Sequence, residues 1–277
     1  MGKIGRGWQL TKMSLRIIRK DKEILIFPIL SGLITLLILG SFFVGTFFTV
    51  GFDGLDDTGS SWGFYLFFAV FYFVAFFISI FFNAAIIGCA TIRMNGGNPT
   101  VGDGLRIAGQ NVGRIFLWAL VAATVGLIIK AIQQRVGFIG KLIMGAIGVA
   151  WTIVTYFVVP VLIYEHVGPW GAVKRSASIL KKSWGEALVG NLGLGAIFAL
   201  AVIPGILLFV VGIYGLVAWG VVAGIAIVVV AIVYLLMIGI IASAAQAVLV
   251  AALYRFATTG QVSEEFQGLA FDRPFTT

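Results

Sequence analysis

Charge is scarce in this sequence. Only 11% of its 277 residues are Asp, Glu, Lys or Arg, against 60% that are hydrophobic. A soluble domain carries roughly 25% charged residues, so water is excluded as the main solvent of this chain. Histidine occurs once, at His166, which excludes any site needing two imidazoles. Cysteine also occurs once, at Cys89, so neither a disulfide within the chain nor a thiolate cluster is available. No Asp or Glu falls inside any of the long apolar runs. Hydrolases that cut within membranes need a nucleophile with a base, paired aspartates or a metal site. Ser31, Ser79 and Ser243 lie in apolar runs without a base, and no His-Glu-x-x-His pattern exists. The chain is not expected to be an enzyme, and no cofactor or metal is expected.

What is present in quantity is apolar length. Mean hydropathy is +1.09, and the composition is that of an all-α, multi-pass bundle filling the whole chain as a single membrane domain. Spans are expected at about 24–50, 61–92, 113–133, 142–164, 187–211 and 219–254. The first apolar run, from Ile24 to Phe52, is too long for a signal-peptide core and right for a first span. Fifteen of the 24 phenylalanines lie between Phe27 and Phe82, where lipid-facing rings are the plain reading. In the third span the uncharged part, Ile115–Ile129, is short, and the stem of Lys130 must help it across. From Ala187 to Tyr254 there are 68 residues without a charge. Two tilted spans with a turn near Gly212–Gly220 fit this run, three short spans being the alternative. Gly220-xxx-Gly224 would let helices approach closely.

Basic residues gather between these runs. In 168–185, Trp170, Val173, Ala177, Leu180 and Trp184 recur at steps of three and four, with Lys174, Arg175, Lys181 and Lys182 placed on the other side. That pattern is read as an amphipathic elbow lying flat in the membrane interface. Residues 3–22 repeat it: Lys12, Arg16, Arg19 and Lys20 share one side, and Ile4, Trp8, Leu15 and Ile18 another. A shift of 162 residues matches Trp8 with Trp170, Lys12 with Lys174, Ser14 with Ser176 and Ile17 with Ile179, consistent with an internal duplication. A third, weaker elbow is expected over 100–112, opened by a capping box of Thr100 and Asp103.

Six spans with an inner N-terminus place sixteen Lys and Arg inside and only Lys130, Arg135 and Lys141 outside. This is the bias of a protein in the cytoplasmic membrane with both termini inside. Asp53, Asp56 and Asp57 form an outer acidic turn. The net charge of +8 is therefore assigned to anionic headgroups and not to nucleic acid. A re-entrant third segment would remove the discordant outer bases but invert everything after it.

GRGWQLTKMSLRIIRKDKEILIFPILS and VVPVLIYEHVGPWGAVKRSASILKKSWGEALVGN together resemble an uncharacterised prokaryotic family of six-span membrane proteins, a domain of unknown function. The second stretch is also similar to the membrane domain attached to some glycerophosphodiester phosphodiesterases. The resemblance implies a six-helix fold and a prokaryotic membrane, and it carries over no catalytic residue.

Two sets of residues remain for function. Glu165 and His166 are the sole candidates for proton work. Asn83, Asn191 and Gln246, on three different spans, either line a polar cavity or bond helices together. Pro160 and Pro204 either break helices around such a cavity or kink them. The leading expectation is a scaffold or accessory subunit partnered by anionic lipids and by other membrane proteins or further copies of itself. The alternative is a channel or carrier for a neutral or amphiphilic solute.

Overall fold

The computed structural model describes residues 3–50 and 62–260. Asp53, Asp56, Asp57 and the tail from 261 lie outside the described residues, as do the side chains of Trp8, Lys182 and Trp184. All regular structure among the described residues is helical. In order these are α1 (Lys3–Lys20), a 3-10 turn (Lys22–Leu25), α2 (Ile26–Val50), α3 (Trp62–Met94), α4 (Val101–Gln110), α5 (Val112–Arg135), α6 (Phe138–Val154), α7 (Val158–Tyr164), α8 (Pro169–Ala218) and α9 (Val221–Thr259). Six stretches are long and apolar enough to cross a bilayer: Lys22–Gly45, Phe68–Met94, Val112–Arg135, Phe138–Tyr164, Gly190–Ala218 and Val221–Thr259. The chain is an all-α, multi-pass membrane protein.

Two compact units divide it. The first holds residues 1–25, 90–99 and 182–277. Here α1 packs against α9, burying Thr11, Ser14, Ile17 and Ile18 on one side and Ala244, Ala247, Val248 and Ala251 on the other. The alanines leave room for the backbones to close in. The α8–α9 hairpin closes more tightly still. A Cβ on Gly224 would stand 2.5 Å from the Leu216 backbone nitrogen, and one on Gly212 2.8 Å from that of Val228. Gly220 plays another part, holding the turn at φ +97°, a region open to glycine. The 68-residue uncharged run thus makes two helices, and Gly212 lies within the first of them, not in the turn.

The second unit holds residues 26–89 and 100–181. A short helix, α4, forms over the stretch of the expected third elbow, and Thr100 caps it as its spacing predicts. The Asp103 backbone N–H donates to Thr100 Oγ1 at 3.2 Å, and Asp103 Oδ2 accepts from the Thr100 backbone N–H at 3.0 Å. A Cβ on Gly104 would lie 2.5 Å from Phe27 and 2.8 Å from Cys89 Sγ, so α4 seats against α2 and α3 only because that side chain is missing. Further on, α5 packs against α6, with Trp118 and Trp151 stacked at 6.0 Å between ring centres.

The fourth span, Phe138–Tyr164, breaks at Thr155–Phe157 between α6 and α7, so of the two readings of Pro160 the break is the one that holds. Pro160 has no N–H for the Tyr156 carbonyl and its ring crowds that group, which favours an interruption one turn before it. Pro204, by contrast, lies inside the unbroken α8, where the Tyr234 hydroxyl donates to the Ala201 carbonyl at 2.8 Å. One expectation needs correction: the elbow over 168–185 is not a separate element, because α8 runs without a break through its 50 residues. Nothing between Lys182 and Ala187 stops a helix, since Gly185 alone costs only about 1 kcal/mol. At 1.5 Å per residue α8 is roughly 75 Å long, and about 30 Å of it suffices to cross the hydrocarbon.

Candidate functional site

The neutral polar trio resolves first. In the first unit the Gln246 side-chain amide donates to Asn191 Oδ1 at 2.6 Å, joining α8 to α9. Both residues are half-buried. An amide in hydrocarbon without a partner is costly, and this pair satisfies one donor and one acceptor mutually. Asn83 belongs to the second unit, half-buried on α3 beside the buried Phe82 and Ala84. The hydrogen bond therefore joins two of the three, and it takes the form of helix-to-helix bonding.

The basic faces come next. On α1, Lys12, Arg16, Arg19 and Lys20 are all exposed, the shared side that their spacing predicts. At the start of α8 the faces differ from the expectation. Ala172, Ser176, Ile179 and Leu180 are buried, whereas Trp170 is 62% exposed and Lys174, Arg175 and Lys181 are exposed with it. Trp170 thus lies on the outward side with Lys174 and Lys181, not opposite them. Residues four and eleven apart share a side by the helical period alone, and the neighbouring chain decides which side turns inward. Ser176 must face the break in the fourth span, where its Oγ accepts the Phe157 backbone N–H at 2.9 Å and satisfies a donor that the interruption orphans. Only small residues allow that approach.

Glu165 and His166 are drawn into two different contacts. Both Glu165 oxygens accept from Arg175 Nε, at 2.8 and 2.9 Å. His166 has a φ of +54°, which turns the chain from α7 into α8. Its Nδ1 lies 3.1 Å from Arg114 Nη1. A guanidinium only donates, so Nδ1 is the acceptor and the imidazole proton sits on Nε2. The same Nη1 donates to Asn111 Oδ1 at 2.8 Å. Nearby in sequence, Asp103 pairs with Arg106 at 2.6 Å. Its carboxyl is held below the ordinary value of 3.8 by the Thr100 hydroxyl first and the Thr100 backbone N–H second.

The first unit contains a pairing that sequence reasoning missed. Asp21, buried at 5% exposure, receives two hydrogen bonds from Arg93 across 72 residues. Arg93 also donates to Asn98 Oδ1 at 2.6 Å, and Arg255 donates to the Met94 carbonyl. A lone acid beside a basic stretch gives no sequence signal of a partner so distant. No group of three His, Cys, Asp or Glu that could hold a metal occurs among the described residues.

No curated protein matches this chain, so the similarity to the membrane domain of phosphodiesterases has no support and is carried no further. No solved structure matches it either. One family does match, over residues 62–264 and so over most of the chain. It takes in every described helix from α3 to α9. The chain belongs to the family of unknown function DUF6159.

Proposed function

We propose that this protein is a non-enzymatic membrane scaffold or accessory subunit. The observation that carries this reading is the apolar surface its spans leave uncovered. In the most apolar parts of Gly190–Ala218 and Val221–Thr259 few residues are buried. Leu207, Tyr214, Val229 and Leu236 all point outward. Such surfaces suit lipid and the helices of partner proteins or further copies. The Asn191–Gln246 bond supports the same reading, because it spends polar groups on packing. The sixteen-to-three distribution of basic residues favours termini on the cytoplasmic side, with Lys12, Arg16, Arg19, Lys20, Lys174 and Lys181 meeting anionic headgroups.

The reading includes a repeated plan. Ser14 and Ser176, matched by the 162-residue shift, are both fully buried, as are Ile17 and Ile179 nearly so. Ala108 in α4 is also fully buried. Each follows an exposed base by two positions: Lys12-x-Ser14, Arg106-x-Ala108 and Lys174-x-Ser176. A small residue that seats the helix, two places after a base that faces out, is what three copies of one amphipathic segment would share.

Photo-crosslinkers placed at Leu207 and Val229 in native membranes test the scaffold. One discrete protein adduct is expected, and a chain recovered alone and monomeric would remove the support. A carrier of neutral or amphiphilic solutes is the second reading, favoured by the interruption at Thr155–Phe157, since broken helices often flank transport sites. Flux of labelled lipid or small solutes in vesicles would establish it.

A further inference from the structure

We infer that Arg114 and His166 form a receptor for the phosphate of an anionic, long-chain lipid. The inference deepens the headgroup contacts proposed above by giving them one site, distinct from the exposed lysines. Four observations carry it. First, Arg114 and His166 come from chain segments 52 residues apart and meet at 3.1 Å, a guanidinium held against an imidazole whose Nε2–H is a further donor. Second, the acids nearby in sequence are engaged elsewhere, Asp103 with Arg106 and Glu165 with Arg175. Among the described residues neither Arg114 nor His166 has a carboxylate partner. Third, both recorded bonds of Arg114 leave through Nη1. The Nη2 and Nε edge keeps its donors for the two-point grip that a guanidinium makes on phosphate.

The fourth observation selects a lipid over a free anion. Arg114 stands in the first turn of α5, where the helix dipole also favours negative charge. Beyond it along the same helix, Leu117, Leu120 and Ile128 are exposed. A phosphate seated at Arg114 therefore has an apolar helix face beside it for its acyl chains. A soluble phosphate would leave that face unused.

Native mass spectrometry of the full chain in detergent tests the site. The probes are dioleoyl phosphatidylglycerol, dioleoyl phosphatidylcholine and inorganic phosphate. The wild type is expected to prefer the anionic lipid on the order of tenfold, the scale of one or two basic contacts at a membrane surface. Arg114→Gln with His166→Gln should remove most of that preference, while Lys174→Gln with Lys181→Gln, which meet headgroups without a two-point grip, should lower it by less. Arg114→Lys retains the charge but not the fork, and should fall between, which separates lost recognition from lost folding. A preference unchanged in the Arg114→Gln, His166→Gln protein would overturn the inference. A preference lost only with the two lysines would leave general headgroup attraction standing and refute this site. Displacement of lipid by millimolar phosphate would also refute it, making the site one for a soluble anion.

Discussion

Gln246 on α9 and Asn191 on α8 share a hydrogen bond of 2.6 Å, and that bond separates a packed hairpin from a polar pathway. If the pair serves packing, Asn191→Leu or Gln246→Leu alone should destabilise the protein by about 1 kcal/mol or a little more, each leaving a polar group unmatched. The double replacement should cost less than the sum. Thermal unfolding in detergent across the four proteins measures this coupling. Additive losses, with a folded double variant that no longer conducts solute, would favour the pathway.

Ser176 caps the interrupted fourth span. Ser176→Ala leaves the buried Phe157 N–H without its acceptor, a loss of roughly 1–3 kcal/mol. Hydrogen exchange should quicken at residues 155–158 before it does elsewhere in α6. Unchanged protection there would mean that the hydroxyl is dispensable to the break.

Asp21 and Arg93 tie α1 to the end of α3 within one unit. Asp21→Asn should cost about 3 kcal/mol, the low end for breaking a buried pair, because Arg93 keeps some exposure. Arg93→Lys should recover only part of this, since an ammonium cannot grip both carboxylate oxygens in a plane. Equal stability of all three proteins would contradict the assignment.

The Asp103 carboxyl titrates below its ordinary 3.8 because the charged form is hydrogen-bonded by Thr100. A lowered value in the folded protein means stability that is present above 3.8 and lost as pH falls through the folded value. A carboxyl titration followed by NMR should place the midpoint below 3.8. Thr100→Ala should return it toward that value, and a midpoint at or above 3.8 in the wild type would refute the capping account.

What the sequence made legible is what depends on one residue and its neighbours along the chain. Solvent follows from composition, so all six candidate spans are found with ends no more than seven residues from those expected. The Thr100–Asp103 cap spans three residues and was visible as a spelling. The break at Thr155–Phe157 was legible only as one of two readings of Pro160, because Val158–Tyr164 continues the apolar run and the same residue type at Pro204 leaves α8 unbroken. Setting Trp170 opposite Lys174 and Lys181 misjudged the period, since residues four and eleven apart share one side of a helix. Which side then turns inward depends on the neighbour, and here the break at Phe157 calls for the small Ser176 and Ala172. Asp21–Arg93 and Arg114–His166 join residues far apart in the chain, and no local pattern announces either.

The account stands on six helices crossing the bilayer, and side-specific thiol labelling tests it most directly. Single replacements Lys141→Cys and Lys174→Cys, in a chain whose own Cys89 is buried, place one probe at the start of α6 and one at the start of α8. Impermeant reagent should reach Cys at 141 only from outside intact cells and at 174 only after the membrane is opened. Labelling of both positions from the same side would contradict it.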